Sequence, residues 1–194
     1  MCGICGFSTG NNKELLRAMN ASISHRGPDG DGFFEDKGIS LGHRRLKIID
    51  LSEKGKQPMS NNDGSIWVTF NGEIYNYKEL RKELEKKGHK FNSATDTEVI
   101  VYAYQEYGEK CAELFDGMFA FALWDSKNKK LVLARDPFGK KPLYYSVVNG
   151  QIYFASEIKA LLENPELERR MNKKAVGQLL NFRAVLGKET LFEG

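Results

Sequence analysis

What this sequence lacks narrows it first. Three cysteines in 194 residues cannot pair off completely, and one sits at the extreme terminus, which argues against a disulfide framework. No charged-then-apolar leader opens the chain, and no apolar run approaches the roughly twenty residues that span a bilayer. The expected location is therefore the cytoplasm, with no membrane partner. A surplus of one charge sign is missing too: the formal net charge is +3. The basic residues fall in short scattered groups at predicted turns, Lys54-Gly55-Lys56, residues 127–130 and Lys140-Lys141. A nucleic-acid surface needs them gathered on one face, so no nucleic-acid partner is expected. There is no internal repeat and no low-complexity stretch. The 41% hydrophobic and 28% charged residues belong to an ordinary globular domain. A chain of this size buries about 70% of its unfolded surface without staples.

What is present has two textures. Residues 2–8 read as a buried strand, and from Lys13 the period turns helical, with Leu15, Leu16, Met19 and Ile23 on one stripe behind an Asn12 cap. Residues 32–35 and 39–44 form a predicted hairpin, 46–49 an apolar strand or extended segment, and 54–64 a polar loop. Ile66, Val68 and Phe70 alternate as a half-buried strand running into Asn71-Gly72. A helix follows from Asn76 to the stop at Gly88, and a second starts at Thr95, where Glu98 completes a Thr-x-x-Glu capping box. Beyond Asp116-Gly117 four strands come at short spacing, 118–125, 130–135, 143–148 and 151–156, the last two joined by Asn149-Gly150. Short helices are predicted over 157–162 and 174–182. Two groups of strands with helices between them predict an α+β layered domain with mostly antiparallel sheets.

The chemically unusual stretch is the start, Met1-Cys2-Gly3-Ile4-Cys5-Gly6. If Met1 is removed, Cys2 carries both a thiol and a free α-amine. With an unperturbed pKa near 7.8, such an amine is free in roughly one molecule in seven at pH 7, against roughly one in 2,500 for a lysine. A nucleophile with its own base is the sulfur version of the N-terminal nucleophile arrangement. With Met1 in place the nitrogen is an amide and the base is gone; such a form should be inactive, the methionine occupying space near the pocket. Two other readings stand beside this one. Cys2 is also a small hydrophobe at a strand start. Cys2-x-x-Cys5 has the spacing of a metal or redox pair, though only Cys111 and three scattered histidines could complete a zinc site.

Several further motifs occur in a fixed order: His25-Arg-Gly-Pro-Asp29, His43-Arg-Arg-Leu46, Asn71-Gly-Glu-Ile-Tyr-Asn76, Asp96-Thr-Glu98, Gly117-Met-Phe-Ala-Phe-Ala122, Arg135-Asp-Pro-Phe-Gly139 and Phe154-Ala-Ser-Glu-Ile-Lys-Ala160. Together with Met-Cys-Gly-Ile they resemble the glutaminase domain of asparagine synthetases, class II glutamine amidotransferases of the N-terminal nucleophile hydrolase group. The resemblance covers essentially the whole chain. It implies a four-layer αββα sandwich with two mainly antiparallel sheets, a glutaminase domain over 2–170, and over 171–194 the start of a connection to a C-terminal synthetase domain. The reaction implied is hydrolysis of L-glutamine to L-glutamate and ammonia through a Cys2 γ-glutamyl thioester. Asn71 and Gly72 match the oxyanion hole. Arg45 matches the ligand of the substrate carboxylate, Asp96 that of its ammonium, and Glu73 a neighbouring contact. Leu46, Lys47, Ile48 and Ile49 would line the pocket, partly through backbone.

Arg26 to Asp29 reads as a scaffolding turn and His25 as a hydrogen-bonded structural residue. Lys47 and Lys140 depart from the family pattern, which often has a small and an apolar residue there. No metal or organic cofactor is implied for the glutaminase step; ATP and Mg²⁺ are implied for the synthetase domain, whose Ser-Gly-Gly-x-Asp-Ser type loop does not occur in this sequence. A homodimer is compatible with the resemblance. The alternatives are the same fold feeding ammonia to another acceptor, or serving as a non-catalytic binding module.

Overall fold

The computed structural model describes residues 1–193; Gly194, the last residue of the expected 171–194 connection, lies outside the described residues. Among the described residues nine strands and five α-helices follow in chain order, besides three short 3-10 turns. They are β1 (Gly3–Phe7), α1 (Lys13–Ser22), β2 (Gly30–Asp36), β3 (Ile39–Arg45), β4 (Met59–Ser60), β5 (Ile66–Ile74), α2 (Tyr77–Lys86), α3 (Thr97–Tyr107), β6 (Gly117–Asp125), β7 (Lys130–Arg135), β8 (Tyr144–Val148), β9 (Gln151–Ala155), α4 (Ile158–Leu161) and α5 (Lys173–Phe182). They build two sheets, one ordered β2-β3-β1-β9-β8 and the other β4-β5-β6-β7, with every pairing antiparallel.

Three apolar clusters show how the layers stack. Phe7, Leu16, Met19, Ile23 and Leu161 join α1 and α4 to the outer face of the five-stranded sheet. Ile39, Leu41, Ala122, Trp124 and Phe154 fill the space between the sheets. Val68, Phe70, Ile100, Tyr104, Phe119 and Phe121 seal the four-stranded sheet under α2 and α3. The result is the expected helix–sheet–sheet–helix sandwich. A strand inside such a stack is covered on both faces, which is why β1 reads as an unbroken apolar run instead of an alternation. Among the described residues no helix is long and apolar enough to cross a membrane.

The structure departs from the sequence-based expectation in three places near the site. Residues 46–49 form no strand; they leave the end of β3 as irregular backbone. The polar loop over 54–64 contains the two-residue strand β4, which pairs only with Trp67 and Val68 of β5. This leaves the rest of that β5 edge without a strand partner. The helix expected from Thr95 begins at Thr97, with Asp96 as its N-cap residue. Only half of the capping box forms. Thr95 Oγ1 accepts the Glu98 N–H at 3.4 Å, but the buried Glu98 carboxylate takes the N–H groups of Asn92 and Ser93, each at 2.8 Å, and the Ser93 hydroxyl at 2.6 Å. Glu98 therefore pins the loop that delivers Asp96.

Candidate active site

Cys2 sits just ahead of β1, the central strand of its sheet, where the chain passes beside the end of β3. Its thiol lies against the Leu46 backbone, 3.4 Å from the N–H that donates to it and 3.6 Å from the carbonyl that accepts from it. Arg26 holds the same residue from the other side: Nε donates to the Cys2 carbonyl at 2.9 Å, while Nη1 bonds to Glu157 at 2.9 Å. Burial pushes the Cys2 thiol above its ordinary pKa, against opposing pulls from the Leu46 N–H, the chain's N-terminal charge and Arg45. At neutral pH it is a thiol, and its use as a nucleophile requires a base.

The thiol opens onto a cleft. Arg45 and Asp96 line it with opposite charges, and Leu46, Ile48, Ile49, Gly72 and Glu73 complete the expected wall. Arg45 is buried, not the surface side chain that an arginine beside Arg44 commonly is. Its Nη2 donates to the Asp50 carbonyl at 2.6 Å, and a Cβ at Gly55 would strike that same nitrogen, so a larger residue there would push the guanidinium out of its place. Asp96 Oδ2 accepts the Ile74 N–H at 2.9 Å. Burial, with a smaller push from Glu73, raises Asp96 to about 6 against the pull of the Ile74 N–H.

This shift has a testable consequence for stability. With a pKa of 3.8 when unfolded and about 6 when folded, Asp96 favours the folded state below about pH 4, and that contribution is lost as pH rises through 6. Asp96→Asn is expected to raise unfolding free energy at pH 7 by about 2–3 kcal/mol, with no gain near pH 4. Urea titrations at the two pH values check this; equal gains at both would contradict it.

The open edge of β5 supplies donors. Phe119, opposite Gly72, takes a 2.8 Å bond from the Asp136 N–H on its carbonyl and gives its own N–H to Asp136 Oδ2 at 3.2 Å. Antiparallel pairs alternate, so Gly72–Phe119 is the non-bonded kind and the Gly72 N–H points away from β6. The N–H groups of Phe70 and Ile74 point the same way, and side chains satisfy both: Gln57 Oε1 at 2.7 Å and Asp96 Oδ2 at 2.9 Å. The Gly72 N–H lies between them, facing the cleft. A Cβ at Gly72 would strike the Met118 carbonyl and lie 2.7 Å from Phe119 Cα. Glycine is thus required by the neighbouring strand.

Two expected lining residues are elsewhere. Lys47 is held by its N–H on Asp29 Oδ2 at 2.9 Å, and its ammonium turns to Glu53, 3.5 Å away, so its charge leaves the cleft. Asn71 is not on the cleft surface: it shares the inter-sheet face of β5 with Thr69, whose hydroxyl donates to the Gly42 carbonyl of β3 at 3.2 Å. Asn71 Nδ2 is buried with no partner. Met1 does not fill the cleft either. It is 55% exposed, with its sulfur directed to Lys141. The Cys2-x-x-Cys5 pair does not converge: Cys5 faces α1 within the outer core, its thiol pushed up to about 12 by burial, while Cys2 faces the cleft. His25 bonds to Glu157 at 2.9 Å, as a structural histidine does. The buried His43, held neutral by burial to about 3, bonds through Nε2 to the Phe70 carbonyl at 3.2 Å and so ties β3 to β5 behind the site.

Sequence reasoning missed Asp50, Gln57 and the grip of Arg26 on Cys2. Asp50 accepts from Ser52 and from the Ala94 N–H, joining the 46–52 segment to the loop that carries Asp96. No spacing rule links those segments; only the fold does. Arg26 had a signal in its motif, but the partner, a backbone carbonyl, has no sequence signature.

Two stacked antiparallel sheets, with a cysteine at the chain start facing a cleft of paired charges, define an N-terminal nucleophile amidotransferase architecture. The chain belongs to the glutamine amidotransferase domain family, whose profile matches residues 1–194. It is 47% identical over 198 residues to asparagine synthetase (glutamine-hydrolysing) 1 of Bacillus subtilis strain 168, covering 98% of this chain and 31% of that protein. It is 42% identical over 165 residues to asparagine synthetase (glutamine-hydrolysing) 2 of Oryza sativa subsp. japonica, covering 84% of this chain and 27% of that protein. The chain thus spans about a third of the length of these curated relatives. Its fold is similar to glutamine phosphoribosylpyrophosphate amidotransferase from B. subtilis, in a structure with ADP and GMP, with a TM-score of 0.70 and 21% identity over 88% of this chain and 45% of that one.

Proposed function

We propose that this domain hydrolyses L-glutamine to L-glutamate and ammonia through a thioester on Cys2. Removal of Met1 frees the Cys2 α-amine, which takes the Sγ proton as the sulfur attacks the side-chain amide carbon. Negative charge collects on the carbonyl oxygen, where the Gly72 N–H and the Asn71 amide donate to it. The amine returns the proton to the nitrogen of the departing ammonia, leaving the γ-glutamyl thioester. Water, deprotonated by the same amine, attacks that carbon; the sulfur takes back its proton and glutamate leaves. Arg45 answers the substrate carboxylate with a planar fork and Asp96 its ammonium, with Glu73 beside it. Thiol and base share one residue, so the scheme calls for no metal.

The observation that carries this reading is the meeting of the Cys2 thiol, the oppositely charged Arg45 and Asp96, and Gly72 at one cleft, with the partnerless Asn71 Nδ2 next to Gly72 on β5. A buried donor without an acceptor costs about 1–3 kcal/mol, and a developing oxyanion is the acceptor it fits. The test is release of glutamate and ammonia by mature protein, with and without a chelator. Asn71→Ala is expected to lower kcat by a factor of about 10²–10³ with a much smaller change in KM. No release by folded, Met1-free protein sinks the reading, and a rate abolished by the chelator sinks its metal-free form.

The relatives' names point to the use of the ammonia. We infer that residues 2–170 form the glutaminase unit and that 171 onward leads toward a synthetase domain that uses ATP and Mg²⁺ to convert aspartate to asparagine. The share of the relatives' length that this chain spans supports the synthetase part of this reading.

A further inference from the structure

The Arg135-Asp-Pro-Phe-Gly139 motif has no part in the scheme above, yet it builds something close to Cys2. Asp136 Oδ2 accepts the Lys141 N–H at 3.0 Å, and Arg135 Nε donates to the Lys141 carbonyl at 2.7 Å. Held this way in the loop between β7 and β8, Lys141 is only 7% exposed. Among the described residues its ammonium has no carboxylate partner; it donates to the Met1 thioether, 3.3 Å away. A thioether is a weak acceptor and a poor match for a buried cation. The Met1 sulfur and the Cys2 nitrogen are five bonds apart, so the ammonium lies no more than about 10 Å from that nitrogen.

We propose that Lys141 is a positioning residue for the N-terminal base: its charge holds the freed Cys2 α-amine in the neutral, proton-accepting form. The proposal rests on the reading of that amine as the base. The charged groups around Cys2 itself are already matched. Arg26, from the turn after α1, is paired with Glu157 at the start of α4. Arg45 from β3, and Asp96 ahead of α3 with Glu73 from β5, meet the opposite charges of bound glutamine. Lys141 is left as the unmatched cation, and a cation beside an amine disfavours its protonated form. It also disfavours ion pairing that would keep the amine charged, which an acidic residue in its place would promote.

The experiment compares mature wild type with K141M and K141R. Neutralising the lysine should move the acidic limb of kcat/KM for glutamine to higher pH by about 0.5–1 unit, a three- to tenfold loss below the limb that disappears at high pH. K141R should keep the wild-type limb. The ionisation of Asp96 near pH 6 is common to all three proteins. The rate of N-terminal acylation by acetic anhydride, followed by mass spectrometry across pH, reads the same amine without any need for turnover. If wild type releases no glutamate, the function fails while this titration still decides the role of Lys141. A K141M amine that titrates as in wild type overturns the proposal, as does a K141R limb displaced as far as that of K141M. Should K141M not fold, K141Q takes its place in both measurements.

Discussion

Mature protein carrying Cys2→Ala should release glutamate from glutamine at about 10⁻⁴ of the wild-type rate or less, because removing a nucleophile leaves only binding and oxyanion stabilisation. The fold should survive. Cys2 lies ahead of β1, and its thiol makes only two long contacts with the Leu46 backbone. Glutamine should still bind, since Arg45 and Asp96 are untouched. The control is Cys5→Ala, which removes a core thiol packed against α1 and should lower stability by about 1 kcal/mol while the folded protein keeps its activity. Iodoacetamide should modify Cys2 alone at neutral pH and abolish turnover in proportion, because burial pushes both the Cys5 and Cys111 thiols to about 12. A Cys2→Ala protein that still turns over glutamine, or activity that tracks Cys5 instead, would return the Cys2-x-x-Cys5 reading to contention.

The sequence carried most of the architecture because the signals were local. Alternation marked β5, unbroken apolar runs marked β1 and β6, and Asn149-Gly150 marked the β8–β9 hairpin. The errors sit where a tertiary partner overrides a local rule. Thr95 and Glu98 have capping-box spacing, but Glu98 has three better donors in residues 92 and 93, so the helix starts two residues late and Asp96 becomes its cap. β4 is too short to show a period and exists only because β5 is there to pair with it. The site was legible in the same measure. Cys2, Arg45, Gly72 and Asp96 stand in motifs, and the fold brings all four to one cleft. Lys47 is turned aside by Glu53, and Asp50 and Gln57 act through backbone groups of segments distant in sequence. No reading of spacing reaches those contacts.

Protein that keeps Met1 should bind glutamine normally and fail to hydrolyse it, with kcat lower by about 10²–10⁴ and KM little changed. The split follows from two features of the site. The methionine side chain leaves the cleft for Lys141, so substrate entry is unobstructed. The thiol, however, is raised above its ordinary pKa by burial, so it cannot ionise by itself at neutral pH, and the nitrogen that would take its proton is a peptide amide. Neither the Leu46 N–H nor Arg45 offsets that burial. Retention can be enforced by expression with a methionine aminopeptidase inhibitor and verified by intact mass, and treating the same sample with the aminopeptidase should restore the rate in step with the loss of one methionine. A raised KM with unchanged kcat would mean that Met1 blocks the cleft after all. An unchanged kcat and KM would mean that another group takes the proton, and Asp96, raised to about 6 and in the same cleft, would be the first to examine. The expected outcome leaves one peptide bond as the difference between a folded binding site and an enzyme.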